Sequence, residues 1–157
     1  MKYTAYLFFL LLACHSSFAQ REIENNKKVV RFFMEDVLGK GKHEVYKQTH
    51  TVDFLGHGSG DVVFNLEEDY QAALENRKGF PDFSLSVAKL IAEEDMVVAH
   101  WLAVGTNTGV NSYLPKASGK KMEIEGITIF RLKGGKIAEE WGLTSLLTVL
   151  RKNGLLH

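Results

Sequence analysis

The run from Gly119 to Trp141, Gly-Lys-Lys-Met-Glu-Ile-Glu-Gly-Ile-Thr-Ile-Phe-Arg-Leu-Lys-Gly-Gly-Lys-Ile-Ala-Glu-Glu-Trp, reads as two strands around a tight turn. Met122, Ile124, Ile127, Ile129, Phe130 and Leu132 form a β-branched and aromatic stretch, the composition that suits a pleated, half-buried surface. Lys133-Gly134-Gly135 follows with residues that tolerate positive φ, and Lys136-Ile137-Ala138 resumes the extended pattern. The spacing predicts a hairpin.

Upstream of it, residues 84–92 and 95–106 read as another antiparallel pair joined at Glu93-Glu94-Asp95, after a turn at Phe80-Pro81-Asp82. Within the second strand Val97, Ala99 and Trp101 point one way, and Met96, Val98 and Leu102 the other. A strand with water on one face alternates apolar with polar, so both faces of this sheet are expected to be covered, the outer one by a second copy of the chain in a homodimer. Residues 22–38 read as an amphipathic helix, with Val29, Phe32, Phe33, Val37 and Leu38 near one stripe and Gly39-Lys40-Gly41 as its stop. A helical turn over 43–49 and an extended run over 51–55 follow. Asn65 is placed to cap a second helix over 66–77, whose first turn carries Glu67, Glu68 and Asp69 at the positive end of its dipole. A short helix over 146–152 closes the chain before Gly154. Helices first and long antiparallel strands later predict one α+β domain, its curved sheet folded over the first helices around one pocket.

The first residues look like an export leader. Lys2, the apolar run 5–13 and Ser17-Phe18-Ala19 supply the charged, apolar and small-residue parts of a signal peptide over 1–19, and the run is too short for a membrane span. Cleavage there leaves residues 20–157, which is 157 − 19 = 138 residues, as the domain. Soluble export to the periplasm or beyond is the reading. A lipid anchor on Cys14, after Leu11-Leu12-Ala13, is the alternative. Cys14 is the only cysteine, so the mature form carries no thiol chemistry and no disulfide. Nineteen basic and nineteen acidic residues balance in the whole chain, without a long basic stretch. Nucleic-acid binding therefore has no electrostatic basis.

Several ordered stretches resemble the SnoaL-like polyketide cyclase (ester cyclase) family of the nuclear transport factor 2-like superfamily. They are Gly126-Ile127-Thr128-Ile129-Phe130-Arg131 with Gly135-Lys136-Ile137-Ala138-Glu139-Glu140-Trp141, the helix end Glu35-Asp36-Val37-Leu38-Gly39-Lys40-Gly41, His57, Phe80-Pro81-Asp82, Val97-Val98-Ala99-His100-Trp101 with Gly105-Thr106-Asn107-Thr108-Gly109, and Leu146-Leu147-Thr148-Val149-Leu150-Arg151. The resemblance spans roughly residues 22–154. It implies a cone-shaped α+β fold that holds an apolar small molecule, and proton-transfer chemistry of cyclase or isomerase type on a hydrophobic carbonyl compound.

It also implies where that chemistry belongs, and this chain departs from the pattern there. In the family the Trp matching Trp141 is followed directly by an Asp that serves as general acid/base, with a second Asp commonly three residues further on. Gly142 and Ser145 stand at these places, and neither moves a proton near neutral pH. Glu140 is the nearest replacement, since strand alternation gives it the face of residue 142, and a bulge after Gly135 would turn it outward. His57, between glycines near the expected pocket mouth, is the other candidate acid/base, as imidazole titrates near neutrality. Trp101, Thr128, Trp141 and Ser145 are the candidate ligand-binding residues. No convergent set of ligands points to a metal, and no cofactor motif is present. Two functions stay open: an enzyme acting through Glu140 or His57, and a non-catalytic binding module of the same fold.

Overall fold

The computed structural model describes residues 19–58, 60–112, 114 and 116–155. The leader expected over 1–19 lies outside these apart from Ala19, as does Cys14. Helix α1 occupies residues 19–31 and continues as a π-helix over Phe32–Gly39. A 3-10 turn (His43–Gln48) leads into β1 (His50–His57), β2 (Val63–Asn65) and α2 (Leu66–Gly79). The long strands β3 (Ser84–Glu93), β4 (Met96–Thr106), β5 (Lys121–Lys133) and β6 (Lys136–Thr144) follow, and α3 (Leu146–Lys152) closes the described chain.

The strands make one sheet in the order β2-β1-β6-β5-β4-β3, open rather than closed into a barrel. Every neighbouring pair is antiparallel except β1 and β6, which run parallel because the whole of β2 to β5 intervenes between them. This is the α+β architecture expected. At the β5–β6 turn Gly134 and Gly135 sit at φ 58° and 74°, the left-handed pair that a two-residue hairpin needs to follow the twist of its strands. The short β2 is an addition to the sequence reading; three residues are too few to carry a periodic signal.

The core lies between α1 and the concave face of the sheet. Val30, Phe33, Met34 and Val37 of α1 pack on Val97, Ala99 and Trp101 of β4 and on Phe130, Leu132 and Ile137 of the hairpin. Each such side chain contributes about 1.5–3 kcal/mol by leaving water. The helix stripe differs in phase from the expected one. Phe32 is exposed, while Val30 and Met34 are buried, because a residue two places from Val30 points to the opposite side of a helix. Phe33 sits at the centre, edge-on to Tyr46 at 5.3 Å, His50 at 4.6 Å and Phe130 at 6.3 Å between ring centres.

Helix α2 is fixed at both ends. Asn65 accepts from the backbone N–H of Glu67 and Glu68, and the Glu68 carboxylate accepts from the Asn65 N–H, a reciprocal cap. At the other end Arg77 donates to the carbonyls of Leu38 at 2.6 Å, Gly39 at 3.0 Å and Phe83 at 2.7 Å. These bonds tie α2 to the end of α1 and the start of β3. With the cap at Asn65 they hold α2 over the cavity described next.

Candidate active site

A cavity of about 280 Å³ opens between α1, α2 and the concave face of the sheet. Phe33, Met34, Leu38, Phe83, Leu85 and Phe130 make its walls apolar. Among the described residues three acidic groups reach into it: Tyr46 from the 3-10 turn, Asp69 from α2 and Glu140 from β6. Among the described residues no Lys, Arg or His lines it.

Glu140 points inward because of a bulge. Phe130 pairs with Glu140 and Arg131 with Glu139, but Leu132 pairs with Ile137, so Ala138 is an extra residue in β6. Ile137 is fully buried on the concave face, and strict alternation from it would turn Glu139 inward and Glu140 outward. The extra residue shifts the phase by one and restores Glu140 and Gly142 to the concave face. The bulge that could have turned Glu140 away from the cavity is what aims it there.

No described residue donates a hydrogen bond to the Glu140 carboxyl. Burial among apolar walls raises its pKa well above the ordinary glutamate value, and the charge of Asp69 raises it further. Asp69 is pushed up to about 6 by burial, against the pull of a hydrogen bond that Tyr46 Oη donates to its Oδ2 at 2.5 Å. The Tyr46 phenol is raised as well, first by burial, then by the neighbouring charges of Asp69 and Glu140. The three groups thus form one electrostatic unit inside the cavity.

Of the ligand-binding candidates, Trp101 and Thr128 line this cavity. The Trp101 indole lies over Gly126, where a Cβ would come within 2.2 Å of its ring, and its Nε1–H donates to Thr128 Oγ1 at 3.0 Å. Thr128 keeps its own O–H to give. Gly142 also lines the cavity, and a Cβ there would meet nothing nearer than Thr128 Oγ1 at 3.9 Å. The place of the family's Asp is empty space.

His57, Trp141 and Ser145 lie elsewhere. Trp141 alternates to the outer face, where its ring stacks on that of His57 at 5.0 Å and 4°. His57 Nε2 is 2.8 Å from Glu139 Oε1, and Glu139 also takes two hydrogen bonds from Arg131, at 2.9 and 2.6 Å. Arg131 first, then His57, holds the Glu139 carboxyl below the ordinary range. His57, the candidate acid/base expected near the pocket mouth, sits on β1 opposite Trp141, on the face away from the cavity and against the Glu139 carboxylate. Ser145 Oγ accepts from the Glu125 N–H at 3.0 Å and borders a shallower groove on the outer face, beside His100, Ile127 and Leu143. It too lies away from the cavity.

Asp69 and Tyr46 are cavity-lining residues that sequence reasoning missed. In the sequence Asp69 reads as one of three acids serving the helix dipole. The signal that separates it is the α2 face Leu66, Asp69, Tyr70, Ala73 and Asn76, a spacing of three, four, seven and ten from Leu66 that Glu67 and Glu68 do not share. Among the described residues no trio of His, Cys, Asp or Glu is grouped to hold a metal ion.

The sequence matches the SnoaL-like polyketide cyclase family over residues 28–153. No curated protein matches it. Solved structures share the fold. A protein named for the polyketide cyclases from Bacillus cereus is 27% identical, with 90% of this chain and 89% of that one covered at a TM-score of 0.72. One named for the SnoaL-like polyketide cyclases from Jannaschia is 22% identical, with 86% and 95% covered at 0.75. AclR from Streptomyces galilaeus, named as a hydroxylase, is 18% identical, with 86% and 88% covered at 0.75. With four-fifths of its length matched by the family and its fold shared with these structures, this chain belongs to the SnoaL-like polyketide cyclase family.

Proposed function

We propose that this protein binds an apolar carbonyl compound in the cavity and exchanges protons with it through Glu140. The observation that carries this reading is a carboxyl in an apolar cavity without a hydrogen-bond donor among the described residues, one alternating position from where the family keeps its acid. A carboxyl in that setting holds its proton at a pH where exposed glutamates have lost theirs, as a general acid must. Trp101 and Thr128 then shape and orient the ligand. The protein acts after export, with the leader 1–19 removed, and as a homodimer through the outer face of the sheet. Support for the dimer comes from that face, where Leu143 is 70% exposed, Ile127 51% and Leu102 42%.

Deuterium exchange into the α-position of β-tetralone, a small uncharged ketone, tests the reading by NMR. Acceleration over buffer is expected, with a loss of about 10²–10⁴-fold in Glu140→Gln. A second reading, a binding module without catalysis, draws on Gly142 and Ser145 in place of the family's acids. It predicts that β-tetralone binds and exchanges no faster than in buffer.

A further inference from the structure

The reading above gives the cavity one working carboxyl, and Asp69 has no part in it. Asp69 belongs to the same space, and its two oxygens are not equivalent. Oδ2 is held by Tyr46 Oη at 2.5 Å, while Oδ1 takes no hydrogen bond from a described residue. Tyr46 is itself immobilised: it is buried, its ring stacks on His50 at 5.1 Å and meets Phe33 edge-on, so the bond fixes the Asp69 carboxylate against the cavity wall. Glu140 approaches from the sheet side, Asp69 from the helix side, and the apolar walls lie between.

We infer that Asp69 is the catalytic base of this cavity and Glu140 its paired acid, acting together on an uncharged, enolisable ketone or ester, with Tyr46 as the positioning residue. The inference rests on the proton-transfer reading above and extends it. In the forward step the α-C–H bond breaks and its proton passes to Asp69 Oδ1. The electron pair becomes the enol C=C, and the carbonyl oxygen takes the proton of Glu140. Return of the proton from Asp69 to carbon, at the same or another position, with the enol O–H proton going back to Glu140, closes the cycle. No oxidant, metal or further reactant is needed.

The electrostatics agree with that division. Asp69, at about 6, is ionised at neutral pH, whereas burial and the Asp69 charge push Glu140 towards its protonated form. Two carboxyl groups whose environments separate their ionisation make an acid and a base from the same chemistry. Tyr46, Asp69 and Glu140 are the only titratable groups among the described residues that line the cavity. No Lys, Arg or His is among the described lining residues, which bears on the ligand class too. An anionic substrate would face Asp69 without a cation from the described residues to pair it, so the free acid of a carbonyl compound is disfavoured against its ester.

The test uses the exchange of β-tetralone, with β-naphthol as a neutral enol mimic and naphthoate as an anion of like size. Wild type is expected to bind β-naphthol and not naphthoate, and Asp69→Asn to slow exchange by about 10²-fold or more while β-naphthol still binds and the rejection of naphthoate is relieved. The rate in wild type is expected to rise with pH as Asp69 ionises. In Tyr46→Phe that rise moves to higher pH, because the lost hydrogen bond was lowering the Asp69 pKa. If Asp69→Asn fails to fold, the Tyr46→Phe profile decides, and an unmoved profile overturns the inference. Wild-type exchange rates in a folded Asp69→Asn, alongside loss in Glu140→Gln, overturn the base role and leave the function standing. No exchange by wild type above buffer overturns both.

Discussion

Glu140 is an expensive residue to keep. Its carboxyl is enclosed by apolar side chains and repelled by Asp69, so its charged form is disfavoured in the folded protein relative to the unfolded chain. The sign of the consequence is fixed. A carboxyl whose folded pKa lies above the unfolded one binds more protons when folded, so its contribution to stability falls as pH rises through the window between the two values. Glu140→Gln is therefore expected to melt higher than wild type at pH 8, with the difference vanishing towards pH 4, where both side chains are neutral. Thermal melts across that range check it, and a constant difference would mean a solvated carboxylate. His50 runs the opposite way. It is buried, its Nδ1 lies 3.0 Å from the Tyr46 carbonyl, and burial pulls its pKa down to about 4. The unfolded chain then binds the extra proton between pH 6.5 and 4, so stability is lost as pH falls through that window. At 1.36 kcal/mol per unit of pKa the loss approaches about 3 kcal/mol. His50→Phe, which keeps the aromatic contacts with Phe33 and Phe54, is expected to recover most of that amount at pH 4 relative to pH 7 in urea denaturation.

At the scale of the element, β6 decides the chemistry and α2 completes it. Gly142 leaves space where the family has its acid, and the backbone there needs no positive φ, so Gly142→Asp should fold with little change in melting temperature. It places a third carboxylate beside Thr128, and the added repulsion should raise the apparent pKa of Glu140 further, which a carbon-13 titration of labelled glutamate reads. Removal of Ala138 is a second test. The deletion takes out the extra residue alone, so Ile137 pairs with Leu132 and Glu139 with Arg131 by plain alternation, Glu140 keeps the concave face and the Glu139–Arg131 salt bridge survives. The deletion is therefore expected to leave the Glu140 titration unchanged, which carbon-13 NMR of labelled glutamate reads. The elements themselves were legible in the sequence, because the hairpin's Gly134-Gly135 turn, the Asn65 cap and the alternation through β4 are local signals. The position of Glu140 on the cavity face was legible by counting back from residue 142. Counting forward from Ile137 would have failed, since a bulge has no reliable local signature. Asp69 was hidden differently: an acid in the first turn of a helix satisfies the dipole so well that its inward position shows only against the apolar spacing of the whole helix. The outer-face position of His57 was not legible, because proximity in sequence to a predicted pocket carries no information about which face of the sheet a β1 residue takes.

For the whole molecule, the sheet separates two environments. Its concave face holds the core and the cavity. Its convex face carries His57, Trp141 and His100 with their carboxylate partners among exposed Ile127, Ile129, Leu102 and Leu143. A second copy seated there would cover that apolar area without touching the cavity. Leu143→Glu, on the most exposed of these residues, is expected to shift sedimentation from dimer to monomer at micromolar concentration and leave exchange of β-tetralone unchanged. A wild-type monomer at that concentration would remove the dimer. The most direct test of the proposed function is the titration of the Glu140 side-chain carboxyl itself, by carbon-13 NMR on glutamate-labelled protein with Glu140→Gln for assignment. The expected result is a carboxyl still protonated at pH 6, whose resonance moves when β-tetralone is added. A Glu140 that titrates near the ordinary value of 4.5 and ignores the ketone would contradict it.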